Sequence, residues 1–559
     1  MPRVLLVGTL AGAAATGVQA QASPPFAELP DSVAERVIAF YNAAGTNRFS
    51  GQTLIAAGSE LAGPLAVIGG PVTVAGRVQG DVVVINGDLR LTPDAMISGS
   101  VTVVGGGVDA QEGASVGGRT AHYREPLRFR HLGEELVHAP EPAAELSAGR
   151  EFGFGRTDIV VAMRGAYNRV EGMPIAVGPR IGLGRSNPTT LEGLVIYRSS
   201  SGLRIDPDEL GYAVRAEQYL GGGRTARVGL RLFSEITPIE SWGLSDRENS
   251  LATFLLHSDY RDSYRREGWA AYVRFARPGW AHDLTIEYRD ERHGRVAPAS
   301  PWSLIDNEQA WRPQPLIAEG TIRTLSARLG YDTRNDHVDP SNGWHIVAEL
   351  EQGLGGRLSP AASIDVTEPE ETPSGTAFSR ERFTAARFDI RRYVRVGPGS
   401  KVALRLLAAG SVDGTALPPQ HQQALGGEGS LPGYRLFEFD CGARSLTVDV
   451  DGEQFYPVFG CDRLAVAQVE YETDLPFVRR IGPVAGLDLD RLLRLVVFAD
   501  AGRAWTEAGA RSGRLTGSSR VKADAGIGIR FGRAGAYWAV PVTGGGHTVN
   551  FFVRIGRRF

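Results

Sequence analysis

A chain of 559 residues, 42% hydrophobic and 22% charged, is long enough for more than one domain. Its net charge of −3 excludes a global basic field, and with it the electrostatic case for a nucleic-acid partner. Lysine occurs only at 401 and 522, so nearly all positive charge is arginine.

Residues 1–20 read as a signal peptide. Arg3 precedes the small apolar run "VLLVGTLAGAAATG", and Val18-Gln19-Ala20 ends in a small residue suited to cleavage. The rest of the chain has no run of 18 or more apolar residues, so a membrane position requires a barrel rather than a helix. Residues 24–52 hold one expected helix, capped at Asp31 or Ser32, with Val33, Val37, Ile38 and Tyr41 at helical spacing. Its expected role is to dock on the segment C-terminal to it.

Residues 53–119 change texture. Val72/Val74, Val78, Val82/Val84, Leu89/Leu91, Val101/Val103, Val108 and Val116 recur about every six residues between Gly, Asn-Gly and Pro-Asp turns. So short a repeat predicts a β-solenoid, each pass burying its apolar residues on the next. The segment resembles the bactofilin-like, polymer-forming repeat. That resemblance implies periplasmic contact or self-association, with a passive spacer as the alternative. Residues 120–150 ("HAPEPAAELSAG") read as a linker.

From 151 to 559 the chain alternates. Leu284, Ile286 and Tyr288 oppose Thr285, Glu287 and Arg289; Val521, Ala523, Ala525, Ile527, Ile529 and Phe531 oppose Lys522, Asp524, Gly526, Gly528 and Arg530. One face is apolar and the other heavily charged, strand after strand, and connections alternate between short and long, as at 291–318 and 354–379. The fold class is therefore all-β: a transmembrane antiparallel β-barrel of about 16 strands, lipid outside and a wet lumen inside, preceded by a short periplasmic β-solenoid. The last strand, "VNFFVRIGRRF", ends the chain at Phe559, similar to the C-terminal signal read by the barrel assembly machinery.

Several blocks then resemble one family in its order. "LGYDTRNDHVDPSNGWHIVAELE", "LPGYR", "AQVEYETDLP" and "VVFADAGRAW" are similar to the surface-antigen barrel superfamily that includes BamA, TamA and two-partner-secretion transporters. The resemblance implies a lumen-inserted loop at Leu431, Pro432, Gly433, Tyr434 and Arg435. Its arginine would meet a Phe-x-Asp-x-Gly strand, here Phe498, Asp500 and Gly502, and a neighbouring carboxylate, Glu470. Alternation places Asp500 and Glu470 on the lumen face. The family's arginine position is Pro432 here, so Arg435 becomes the expected pin. The solenoid also occupies the place where the family usually carries POTRA repeats.

Cys441 and Cys461, a close pair in an exported chain, predict one disulfide; no histidine lies between them to complete a metal site. Between them, Asp451-Gly452 predicts a type I′ hairpin. No Gly-x-Ser-x-Gly elbow or nucleotide-binding glycine loop is present, and the 10 histidines are scattered, with His337 and His547 in turns. The expectation is no enzyme, no cofactor and no metal; the oxygen-rich "DTRNDHVDPSNG" is better explained as a turn than as a calcium loop. The resemblance implies insertion or translocation of polypeptides or other envelope components, through a weakly zipped seam between the first and last strands. Partners would be outer-membrane lipid, the assembly machinery and client polypeptides. The alternatives are a membrane anchor for a self-associating solenoid scaffold, and a passive pore.

Overall fold

The structure is a computed structural model. It describes residues 29 and 31–559 except 70, 124–126, 128, 133–134, 139–144, 153–154, 185–188, 202–209, 222–224, 241, 277–281, 306–309, 335–338, 360–380, 398, 440, 442–446, 457–459, 476–492, 507–519, 533 and 545–547. The expected signal peptide, His337 and His547 lie outside the described residues.

The valine-rich repeat coils as a parallel solenoid with three sheets, of five, four and four strands. Leu65, Val82, Val101 and Thr120 stack in one column, and Val72 pairs with Leu89 on the next face. Inside, Val67, Val74, Val78, Val84, Ile97 and Val103 form one buried core. The runs "LAVI" and "VVVI" are continuously apolar because that face is covered on both sides. Helix α1 (Asp31–Asn42) lays Val33, Val37, Ile38 and Tyr41 over Ala66, Val83, Ile85 and Val104. Asn42 locks the cover down: its Nδ2 donates to Leu136 O (2.8 Å) and its Oδ1 accepts from Leu136 N (2.9 Å).

The stretch expected as a linker is more structured than that. Thr120–Tyr123 adds a last rung to the solenoid, and Phe129–Leu132 pairs with Glu135–His138 as a hairpin. Glu145–Phe152 opens the large sheet. The sequence there, "ELSAGREF", has no clean apolar alternation, so pairing with its neighbour decides its conformation.

That sheet has 17 strands, all antiparallel neighbours in chain order. They are β1 (Glu145–Phe152), β2 (Gly155–Met163), β3 (Pro174–Leu183), β4 (Thr189–Arg198), β5 (Gly211–Leu220), β6 (Ala226–Pro238), β7 (Ser263–Ala276), β8 (His282–Gly294) and β9 (Gly320–Asp332). Then come β10 (Gly343–Leu358), β11 (Thr384–Gly397), β12 (Ser400–Ser411), β13 (Arg463–Asp474), β14 (Leu493–Trp505), β15 (Lys522–Phe531), β16 (Ala534–Pro541) and β17 (Asn550–Ile555). The expected count was about 16; the extra strand is β1, from the stretch read as linker. No pairing joins β1 to β17 among the described residues.

Alternation sorts the two faces as expected. Leu230, Leu325, Leu329, Ile527, Ile529, Phe551 and Val553 are exposed on the outer face, where lipid belongs. Inside, buried arginines and carboxylates far apart in the chain meet, as Arg530 meets Glu472 and Arg558 meets Asp500. Except for residues 475–492, connections at one end are short, such as those after β1, β3 and β15. Those at the other end are long, notably 239–262, 295–319, 359–383 and 412–462. Helix α2 (Asp246–Leu256) lies in the first of these, opened by a capping box in which Ser245 Oγ accepts from Glu248 N.

Candidate functional site in the barrel lumen

The long connection 412–462, between β12 and β13, fills the lumen. Gly426 (φ 118°) and Gly427 (φ 83°) break any strand. Isolated bridges, Leu425 with Phe439 and Gln423 with Cys461, hold the loop's shape instead. This explains why a glycine-rich stretch is also apolar. Leu425, Leu431, Tyr434 and Phe439 pack with Trp242, the two cysteines and the inward-facing Leu464, Val466 and Ala504 of the wall. Gly502 makes the room: a Cβ there would lie 3.1 Å from Leu425 Cδ1 and 3.4 Å from Leu431 Cδ1.

The motif residues sit as follows. Leu431 is fully buried. Pro432 O accepts from Asn550 Nδ2 on β17 (3.2 Å). Gly433 N donates to Asp524 Oδ2 on β15 (2.7 Å), and its missing side chain allows that approach, since a Cβ would stand 2.6 Å from Asp524 Cβ. The Tyr434 hydroxyl lies between the carbonyls of Ala523 (2.9 Å) and Thr543, its ring edge-on to Phe439.

Arg435 corrects the expectation. It is exposed, its backbone N donates to Glu438 Oε2 (2.9 Å), and it makes no described ion pair with Glu470 or Asp500. Both carboxylates do face the lumen, as alternation requires, but their cation comes from elsewhere. Arg558 Nη2 donates to Asp500 Oδ2, its Nη1 lies 3.9 Å from Glu470 Oε2, and its guanidinium lies 3.7 Å over the Phe498 ring. The loop touches this cluster through Gln468, whose Nε2 donates to Ser430 O (3.1 Å) and Asp500 Oδ1 (3.3 Å). It also touches Asp524, which pairs across the strands with Asp500. Gln468 and Asp524 were legible as lumen residues by alternation; nothing in their spacing singled them out as loop anchors.

Phe559 also departs from a simple extension of its strand. β17 ends at Ile555, Gly556 turns at φ 130°, and the tail folds inward. Phe559 is buried against Tyr393 and Ala403, and its backbone oxygen accepts from the Tyr393 hydroxyl (3.2 Å). Arg557 joins Asp339, which also receives Lys401 Nζ (2.7 Å) and Arg530 Nη2 (3.3 Å). Asp339 is thus paired with the chain's own cations.

The outer part of the loop is clasped. Cys441 and Cys461 are joined, and the hairpin Val448–Val450/Glu453–Tyr456 turns at Asp451 (φ 56°) and Gly452 (φ 85°), two positive values as type I′ demands. Its second strand pairs in parallel with Gln314–Pro315 of another long connection.

Helix α2 supplies a further contact that spacing alone did not reveal. Glu248 accepts from Arg554 Nε (2.5 Å) and Nη2 (3.2 Å) and from Ile555 N (3.0 Å), tying the helix to the last strand. Beside it, Glu428 of the loop accepts from the Tyr260 hydroxyl (3.4 Å), and burial pushes its carboxyl up to about 7. A carboxyl raised in the folded state favours the fold while neutral. That contribution is whole below the ordinary carboxylate range and is lost as pH rises through about 7. Amide exchange across 425–439 is therefore expected to quicken between about pH 5 and about pH 8 beyond its intrinsic pH dependence, and Glu428→Gln is expected to abolish that excess.

Comparison with known proteins gives the family. In structure, the chain is similar to BamA from Haemophilus ducreyi lacking POTRA domains 1–3, at 15% identity and TM-score 0.43, over 74% of this chain and 75% of that one. It is also similar to CdiB from Escherichia coli, at 11% identity and TM-score 0.31, over 78% and 68%. A comparison with curated protein sequences gives no match. The Omp85 superfamily domain matches residues 224–559, from β6 to the last residue and so through the whole loop and its anchors. Spanning more than half of the sequence, that match makes this chain a member of the Omp85 superfamily.

Proposed function

We propose that this barrel sits in the outer membrane and inserts or translocates polypeptides, or another envelope component, across it. Superfamily membership supports the reading. The observation that carries it is the loop at 412–462, held inside on the strands of Gln468, Asp500 and Asp524, so that the lumen is a built interior rather than an open channel. Client chains would be partners, and the barrel assembly machinery would act during biogenesis. Depletion followed by an inventory of outer-membrane proteins tests it: selective loss of clients is expected, and an unchanged inventory contradicts an assembly role.

A second reading rests on the solenoid, whose own buried core sets it apart from the barrel. Asn47–Ser50 and Thr120–Tyr123 are the end strands of its five-stranded sheet, the positions at which a second copy would add. Filaments formed by residues 23–150 would favour a scaffold anchored by the barrel.

A further inference from the structure

The segment Gly556–Phe559 folds into the lumen, and its arginines are paired there with carboxylates of the wall. Each of its arginines, with Arg554 just before it, meets a separate acidic partner: Arg554 meets Glu248, Arg557 meets Asp339 and Glu472, and Arg558 meets Asp500 and Glu470. Arg558 and Asp500 have side chains 1% and 0% exposed, so this pair is shut off from water. The Phe498 ring closes over the guanidinium, and that ring in turn lies over Gly526, where a Cβ would be 2.2 Å from Phe498 Cζ. The site is therefore shaped for a planar cation.

We infer that the chain's own C-terminus is an internal ligand of the lumen, and that Arg558 supplies the guanidinium that the loop, with proline at 432, does not. The loop lies on both sides of Asp500: Ser430 reaches it through Gln468, and Gly433 reaches the cross-strand Asp524. Position 432 lies in the chain between those two anchors, Ser430 and Gly433. The guanidinium that stands at Asp500 is that of Arg558. Arg558 is thus a positioning residue: it neutralises Asp500 so that Gln468 and Asp524 can hold the loop. A buried carboxylate stripped of this cation would be costly to keep ionised.

The test is hydrogen exchange at the amides of 425–439 in the purified full chain in detergent, folding being checked by heat-modifiable gel mobility. Arg558→Ala is expected to speed exchange at Gly433 and Tyr434 by about tenfold, the size of one charge-assisted hydrogen bond. Adding Pro432→Arg to it is expected to restore most of the protection, and Arg435→Ala to change nothing. Wild-type exchange in a folded Arg558→Ala protein, or no recovery with Pro432→Arg, overturns the inference. If Arg558→Ala alone fails to assemble, assembly of the Pro432→Arg/Arg558→Ala protein supports it, and failure of both overturns it.

Discussion

Arg554→Ala is expected to destabilise the folded barrel by about 3–5 kcal/mol, the cost of stripping one partner from a buried ion pair. Glu248 and Arg554 are both buried, and the guanidinium meets the carboxylate through two nitrogens. Removing it leaves Glu248 charged and enclosed, served among the described residues by Ser245 and the Ile555 amide. It also frees the carbonyl of Glu428, which Arg554 Nη1 reaches at 3.1 Å. Glu248→Gln strands the buried Arg554 guanidinium in its turn, but its amide can still cap α2 and its oxygen can accept one of the guanidinium's hydrogen bonds, so it is expected to cost less. The two substitutions together should cost less than their sum, the mark of a direct pair. Denaturant unfolding of the purified barrel measures all three.

Replacing both cysteines by serine is expected to cost about 3 kcal/mol in the chain-entropy model of a cross-link closing a loop of this length, and to act mainly on residues 412–462. The sequence separation of the cysteines is 20, and their bond closes the base of the hairpin. Cys441 and Cys461 also pack into the same apolar cluster as Leu431 and Tyr434, so the clasp stiffens the motif as well as the hairpin. Protease digestion should cut the loop of the serine variant while the wall strands stay intact. Equal resistance in both proteins would show that the clasp does not stiffen the loop.

Much of this was legible in the residues. Alternation in "VKADAGIGIRF" and "AQVEYETD" put Ile527 and Val469 outside and Asp524 and Glu470 inside, because a period of two leaves no third choice. Asp451-Gly452 fixed its turn locally, and the valine spacing anticipated the stacked columns of the solenoid. What spacing could not show depends on contacts between residues far apart. Arg558 and Asp500, or Arg554 and Glu248, are partners only once the sheet has curled around them. Parity also fails where a strand stops: carried past Ile555 it would send Phe559 outward, whereas the turn at Gly556 sends it in. Arg435 was the nearest arginine in sequence and not in space. Strand β1 escaped for the opposite reason, since its residues carry no alternation and only the exposed edge of β2 orders them.

The filled lumen requires that the loop bearing Leu431–Arg435 lie inside the barrel, against β15 and the β16–β17 connection. Cysteines in place of Tyr434 and Thr543, whose native side chains meet there, put that contact directly under test. A short bifunctional maleimide applied to the folded protein in its membrane should join the two positions, and mass spectrometry of the digest should recover the linked peptides. Efficient linkage is the predicted result; a folded barrel in which the two positions never link would contradict it.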